Sequence, residues 1–180
     1  MENTINTQKY EITDTFHPQL PRCRQIRRLY DGLLGGYIEC ESNLSQDGDC
    51  YVYDNSVVVG LARVGGNARV RCNARVVGNA WVGGDSMVGG NAWVGGNASV
   101  DGNARVCGKA RLDGSAIVDD GAMVEGDAMV GGNARVGGNA WVGGNARVGG
   151  SAVVDDRAMV EGDAVVGGNA VVGGNTLVGG

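Results

Sequence analysis

The sequence predicts an all-β fold, a parallel β-solenoid in which the chain winds into stacked coils. Three observations carry this prediction. From Val52 to Val178 an aliphatic residue stands at every sixth position, and all of them except Leu112 are valine. Four places after each of these, up to the last repeat, stands Ala, Ser or Thr, and it is nearly always Ala. Gly-Gly-Asn or a close variant usually lies between the two. A short fixed period of this kind is typical of coils that bury side chains only against neighbouring coils.

Each six-residue unit, or hexad, is expected to contain one short strand and one corner. Strand side chains alternate between two faces, so the valine points inward and its two neighbours point outward. The following Gly and Asn residues turn the corner, because these residue types adopt positive φ most readily. The alanine beyond the corner is small because little interior space is left there.

Three hexads, or eighteen residues, would close a triangular coil. The segment 113–130 recurs at 149–166 with few changes, which is an offset of six hexads. Two triangular coils of three hexads fit this offset and keep every side chain on its own face. Three coils of two hexads each fit the offset equally well, so the offset alone does not prove the number of sides. We predict triangular coils of about 18 residues.

The regular period begins only near residue 51. Leu44 follows Ile38 by six residues, but Val52 follows Leu44 by eight, which indicates two extra residues between them. We therefore expect residues 37–180 to form the solenoid, with an irregular first coil and regular coils from residue 51.

Residues 1–36 are predicted to form a β-hairpin cap. Lys9–Thr13 and Cys23–Tyr30 have the character of short strands, with two prolines between them. A cap is expected here because the end of a solenoid is an unpaired sheet edge. At the other end the sequence stops in mid-hexad at Leu177–Gly180. This predicts an open end that pairs with another molecule or with further polypeptide.

Composition and charge argue against several functional classes. The formal net charge is −5, and no basic stripe suits a nucleic acid or an anionic membrane. Mimicry of DNA by an acidic surface is a less favoured alternative. No window has the ~18 apolar residues that span a bilayer. The five cysteines show no paired CxxC spacing, and no apolar signal segment follows Met1, so we expect a reducing, cytoplasmic setting.

The hexad is similar to the repeat of the hexapeptide-repeat superfamily, whose members form left-handed parallel β-helices. Left-handed winding is implied by that resemblance alone and runs against the usual right-handed crossover. Residues 43–55 read Asn-Leu-Ser-Gln, then one residue, then Gly-Asp-Cys-Tyr-Val-Tyr-Asp-Asn. This block resembles the entry segment of YdcK-like hexapeptide-repeat proteins of bacteria and their phages. The resemblance covers the whole chain and implies a fold and a bacterial or phage source.

Enzymatic activity is not expected. Many hexapeptide-repeat proteins resemble acyltransferases, which need a general base, normally histidine, near the acyl-CoA thioester. The one histidine of this chain, His17, lies in the predicted cap, and no loop interrupts the repeat. We therefore predict no catalytic residue and no cofactor, and treat His17 as an incidental surface residue. An acyltransferase relative that lacks its base and a small-ligand binder remain alternatives.

Metal binding is not expected either. Asp119-Asp120 and Asp155-Asp156 lie two coils apart on one predicted side, with Gly137-Gly138 between them. Carboxylates can gather a cation such as Ca²⁺, but the intervening coil separates these pairs by about 10 Å. The same arrangement recurs on the next side at Glu125, Asp127, Glu161 and Asp163. We interpret all these groups as solvated charges.

The outward residues that precede the valines stack in columns when they stand three hexads apart. One column contains Met87, Arg105, Met123, Trp141, Met159 and Leu177; the next has Val153 and Val171; the third has Trp93, Met129 and Val165. An exposed apolar strip usually marks an interface. The alternative is that such residues merely favour strand surfaces. The predicted interface consists of Met87, Met123, Trp141, Met159, Leu177, Val153 and Val171.

These observations predict a non-catalytic structural or interaction protein of phage or prophage origin. It would act as a homo-oligomer, with a trimer favoured, or bind a host or virion protein. Inhibition of a host defence factor is a further alternative. The expected location is the cytoplasm, which is the host cytoplasm for a phage-encoded chain, and neither nucleic acid nor membrane is an expected partner.

Overall fold

The computed structural model describes residues 8–180 and is an all-β parallel solenoid of about eight coils. Strands pair in parallel with strands three hexads away; Tyr51 and Val52, for example, pair with Arg69 and Val70. This spacing confirms the triangular coil and excludes the coil of two hexads. The predicted fold class is therefore confirmed.

The strands are numbered in chain order. They are β1 Tyr10–His17, β2 Leu20–Arg28, β3 Leu34–Ile38, β4 Tyr51–Val52, β5 Val57–Val58, β6 Arg63–Val64, β7 Arg69–Val70, β8 Arg75–Val76, β9 Trp81–Val82, β10 Met87–Val88, β11 Trp93–Val94, β12 Ser99–Val100, β13 Arg105–Val106, β14 Arg111–Leu112, β15 Ile117–Val118, β16 Met123–Val124, β17 Met129–Val130, β18 Arg135–Val136, β19 Trp141–Val142, β20 Arg147–Val148, β21 Val153–Val154, β22 Met159–Val160, β23 Val165–Val166, β24 Val171–Val172 and β25 Leu177–Val178. One short 3-10 helix, Glu41–Asn43, precedes β4.

The strands form three sheets, one for each side of the triangle. The ten-stranded sheet has the order β1-β2-β3-β5-β8-β11-β14-β17-β20-β23. The eight-stranded sheet runs from β4 through β7 and every third strand to β25, and the seven-stranded sheet runs likewise from β6 to β24. Outward residues of one side therefore lie directly above one another, one coil apart.

The interior is a narrow column of valine and alanine. Val106 and Ala104, near the middle of the solenoid, are completely buried, and their equivalents in most coils are buried as well. Ser replaces Ala at two buried positions. At one of them Ser86 Oγ donates to Gly83 O at 2.6 Å, which satisfies the hydroxyl inside the corner. Coils are joined by backbone hydrogen bonds, such as Arg105 N–H to Ala122 O at 2.9 Å.

In most corners the residue that adopts the positive φ of the turn is glycine. The second residue after the inward valine has positive φ, as at Gly66 (φ 62°). Four corners use other residues there: Asp54, Cys72, Asp120 and Asp156. The expectation that asparagine shares this conformation is wrong, because no asparagine within residues 8–180 has positive φ. Asparagine instead links coils through its side chain, as Asn79 Nδ2 donates to Asn97 Oδ1 at 2.9 Å.

The first coil contains the predicted two-residue insertion. Leu44 forms a bridge with Val64, whereas Val52 pairs with Val70. Leu44 and Val64 are 20 residues apart, whereas Val52 and Val70 are 18 residues apart. The two extra residues therefore lie between Leu44 and Val52. The completely buried Asn43 holds this irregular coil to the next one. Its Oδ1 accepts two backbone N–H bonds, and its Nδ2 donates to two carbonyl oxygens of the following coil.

A three-stranded segment, β1 to β3, covers the first coil. β1 and β2 are antiparallel and longer than the predicted strands, with a tight turn between them. β3 pairs antiparallel with β2 and parallel with β5, so the ten-stranded sheet runs from this segment into the coils without a break. β3 spans the predicted boundary at residue 36. Residues 1–7 of the predicted cap lie outside the described residues.

Candidate interaction surface

The predicted apolar column lies on the eight-stranded sheet. Met87, Arg105, Met123, Trp141, Met159 and Leu177 stand in register on successive parallel strands, as their spacing predicts. Met87, Met123 and Trp141 are half-buried, whereas Met159 is 40% exposed and Leu177 is 61% exposed. The accessible part of the column is therefore concentrated in the last coils.

Trp141 lies flat on the sheet instead of projecting from it. A β-carbon added to Gly143 would be 2.5 Å from Trp141 Cζ2, so the indole ring occupies the space above that glycine. The indole N–H donates to Glu125 Oε1 at 2.9 Å. This bond and the glycine below fix the ring as part of a flat surface.

The second predicted column lies on the seven-stranded sheet. Val153 pairs with Val171; Val153 is half-buried and Val171 is 75% exposed. The predicted interface residues therefore belong to two adjacent sides of the triangle and meet across the corner between them. A single flat partner surface cannot cover both sides at once.

The third column borders an open groove on the ten-stranded sheet. The groove has a volume of about 630 Å³ and reaches from Arg111 to Val165. Its floor is the backbone of Gly131, Gly149 and Gly167, where an added β-carbon would meet no atom within 4 Å. We call this feature the glycine groove. The glycine groove was not among the predicted sites, although glycine directly follows the inward residue in three successive coils of this sheet.

The side chain of Arg135 lies between the two aspartate pairs, because Gly137 of the same coil has both Asp119 and Asp155 beside it. Arg135 on β18 forms an ion pair of 2.9 Å with Asp119 Oδ2. A β-carbon added to Gly137 would lie 2.8 Å from Asp119 Oδ1, 3.3 Å from Asp155 Oδ1 and 3.4 Å from Arg135 Nε. A guanidinium thus occupies the place that a cation would need. Within residues 8–180 no group of three His, Cys, Asp or Glu side chains is arranged to hold a metal ion.

The carboxylates of the neighbouring side are engaged in local contacts. Asp163 Oδ1 accepts from Asn145 Nδ2 at 2.9 Å, and Glu125 accepts the indole N–H described above. Cys107 Sγ lies 3.8 Å from Glu125 Oε2, and burial together with that carboxylate raises the pKa of the thiol. All five cysteines are free thiols.

His17 lies at the end of β1, away from the apolar columns. Its ring packs edge-on against Tyr37 at a centroid distance of 4.7 Å, and its Nδ1 accepts the backbone N–H of Gln19 at 3.1 Å. The hydrogen bond lies within the turn between β1 and β2, and the ring contact joins that turn to β3.

Comparison with known proteins adds no assignment. No family model matches the chain, and no curated protein is significantly similar to it. Among residues 8–180 there is no helix both long enough and apolar enough to cross a lipid bilayer.

Proposed function

We propose that this chain is a non-catalytic interaction module that associates through the apolar side chains of its last coils. The observation that carries the proposal is the in-register column on the eight-stranded sheet, which ends in exposed Met159 and Leu177. Contiguous exposed apolar side chains usually mark an interface, because they remain in contact with water until a partner covers them. The backbone hydrogen bonds between coils already hold this surface in one conformation, so association would cost little conformational entropy.

A trimer is the proposed assembly. The apolar residues lie on two adjacent sides of the triangle, the side of Leu177 and the side of Val171. Around a three-fold axis parallel to the solenoid, each subunit contacts its two neighbours through two different surfaces. Two apolar sides that meet at one corner suit this arrangement. Binding of a host or virion protein by the same surface is the second form of the proposal.

The family context belongs to the same proposal. The hexad and the block at residues 43–55 support membership of the YdcK-like hexapeptide-repeat group, with left-handed winding and a phage or bacterial origin. The cytoplasm is the proposed location. The absence of enzymatic activity is proposed on two grounds: the only histidine serves a turn, and from Tyr51 onward strands pair at a constant spacing of three hexads.

The proposal is tested by light scattering on the pair Met159→Asp and Leu177→Asp. Both side chains are exposed, so the double variant should keep its β-sheet circular dichroism. The wild type is expected at about three times the 18.4 kDa mass of one chain. The double variant should fall toward the mass of one chain, since buried carboxylates oppose association.

The matched control is Arg105→Asp, which changes an exposed residue of the same column in an earlier coil. It should leave the mass unchanged. A wild type with the mass of one chain at all concentrations would contradict the homo-oligomer. A double variant that keeps an oligomeric wild-type mass would contradict the assignment of the interface to the apolar column.

A further inference from the structure

The three tryptophans of this chain show how an indole ring packs on the outer surface of the sheets. The ring of Trp141 lies over Gly143, and that of Trp93 lies over Gly95. The ring of Trp81 reaches two glycines; a β-carbon added to Gly65 would be 2.7 Å from its Cη2. A glycine directly after an inward valine therefore leaves a flat area of backbone on which an indole ring packs. We call this area, together with its glycine, an indole seat.

A nearby carboxylate completes two of these seats. Trp141 Nε1 donates to Glu125 Oε1 at 2.9 Å, and Trp81 Nε1 lies 3.4 Å from Asp101 Oδ2. The carboxylate comes from an adjacent coil in both cases. An indole on this surface thus combines a glycine below the ring with an acidic acceptor at its edge, which is the polar contact that a partly buried indole requires.

The glycine groove repeats this arrangement without a ring in it. Each part of the Trp141 seat has a counterpart two hexads earlier. Gly131 corresponds to the glycine floor and Asp113 to the carboxylate, but Met129 stands where the tryptophan would be. Both Gly131 and Asp113 line the groove, and no atom lies within 4 Å of a β-carbon added to Gly131.

The surroundings of the groove favour an aromatic ring. Met129 and Val165 supply apolar walls, and Arg147 and Arg111 border the floor. Arg111 stacks on an aromatic face of the same sheet, with its Cζ 4.4 Å from the ring centroid of Trp93 on the paired strand, which leaves Arg147 as the unstacked guanidinium of the two. Arginine attracts the face of an aromatic ring electrostatically, and indole is the strongest such partner among side chains.

We propose that the glycine groove binds a tryptophan side chain presented by a partner polypeptide. The indole would lie on Gly131 with its N–H directed to Asp113. This inference rests on the proposed function, the binding of a partner through outer faces, and it assigns a second surface on a different sheet from the apolar column.

Two observations argue for a partner polypeptide as the source of the ring. The bare floor continues from Gly131 over Gly149 and Gly167, which is more surface than one indole covers. The polypeptide that carries a tryptophan would cover the remainder, including Val165, which is 72% exposed. A second copy of this chain does not supply the ring, because all three of its tryptophans already lie on their own glycines.

The test uses fluorine NMR with N-acetyl-5-fluorotryptophan amide as the probe and the full chain as the receptor. The probe signal should broaden and shift saturably with the wild type. Gly131→Val should weaken this binding at least about ten-fold, because the side chain fills the seat. Gly131 has no positive φ and open space at its β-carbon, so the variant should fold normally. Met129→Trp should have the same effect by placing the chain's own indole on Gly131.

Gly179→Val is the matched control, since Gly179 has the same hexad position and the same open space but belongs to the eight-stranded sheet. It should bind the probe as the wild type does. Equal binding by wild type and Gly131→Val would overturn the proposal, and so would no saturable change in the wild type.

A second arm tests the source of the ring. A short peptide with one central tryptophan should bind more tightly than the amide probe, and alanine in its place should abolish binding. Equal affinity of peptide and amide would overturn the polypeptide source. The result is separable from the test of the proposed function, because Met159→Asp with Leu177→Asp changes another sheet and should leave probe binding unaltered.

Discussion

The N-terminal segment, β1 to the end of the irregular coil at Cys50, and the regular coils from Tyr51 onward are held together by different means. In the N-terminal segment, single polar side chains make bonds that occur nowhere else in the described chain. Tyr10 Oη donates to Leu44 O at 2.7 Å, and Asn43 bonds to four backbone groups. In the regular coils the same few contacts recur: an inward valine, an inward alanine and a backbone bond to the next coil.

The two regions should therefore respond differently when a single contact is removed. A repeated contact is also present in the neighbouring coils, so the removal of one copy destabilises mainly the coil that contains it. A unique buried polar group has no substitute, and its removal leaves its partners unpaired inside the protein. The aromatic residues make the two regions separately observable. Tyr10, Tyr30 and Tyr37 lie in the N-terminal segment, and Tyr51 and Tyr53 lie directly next to it at the start of the regular coils. All three tryptophans lie farther along the coils, between Trp81 and Trp141.

The largest expected effect comes from removing asparagine in each region. Asn43→Ala should lower the free energy of unfolding of the N-terminal segment by about 2–4 kcal/mol, because buried backbone groups lose their partners. Asn97→Ala removes only an exposed side-chain bond from Asn79 and should change stability by less than about 0.5 kcal/mol. Urea unfolding followed by tyrosine absorbance and tryptophan fluorescence would measure both.

In the Asn43 variant the tyrosine transition should move to lower urea more than the tryptophan transition does. Equal destabilisation by the two variants would contradict the distinction between unique and repeated contacts.

Alkaline pH should act on the N-terminal segment and on Tyr51, whose hydroxyl donates to Leu33 O of that segment, before it acts on the later coils. Burial raises the pKa of Tyr51 to about 12, partly opposed by the Arg28 guanidinium, and burial also raises the pKa of Tyr10 above its ordinary range. The neutral phenols are therefore favoured in the folded state. Their contribution is complete below the unfolded pKa of about 10 and is lost as pH rises through about 12.

The measurement is a titration of tyrosinate absorbance together with tryptophan emission from pH 9 to 13. Ionisation of the buried tyrosines should accompany loss of the N-terminal structure while tryptophan emission stays native. Simultaneous change of both signals would show that the two regions unfold as one unit.

The smallest effects are expected at two glycines of the regular coils. Gly126 has φ +72°, and an added β-carbon would be 2.7 Å from Gly144 O, so Gly126→Ala should destabilise by about 1–2 kcal/mol. Gly149 has open space and no positive φ. Gly149→Ala should stabilise by about 0.4–1 kcal/mol by restricting the unfolded chain. Thermal unfolding followed by circular dichroism distinguishes the two, and a stabilised Gly126→Ala would contradict the assignment of the corner.

The apolar column was predictable because it needs only the coil length. Once residues three hexads apart are neighbours, Met123, Trp141 and Met159 must stack. The glycine groove was not predictable in the same way. It exists because Met129 and Arg147 leave their following glycines uncovered, whereas Trp141 lies over its own. Whether a long side chain extends over its neighbour or away from it depends on packing, and the hexad does not encode that.

The sequence by itself determined the solenoid, its inward valine and alanine column, and the glycine corners, because each follows from one residue type at one place in the hexad. The sequence predicted a coil of three sides, but only the tertiary structure excluded a coil of two hexads, since the parallel pairing of Tyr51 with Arg69 involves residues of different coils. The tertiary structure also decided that β3 joins β2 to β5 in one sheet, where Gly35 passes so near Val52 O that an added β-carbon would be 2.5 Å away. Contacts between coils are long-range and depend on several side chains at once, so no local pattern specifies them.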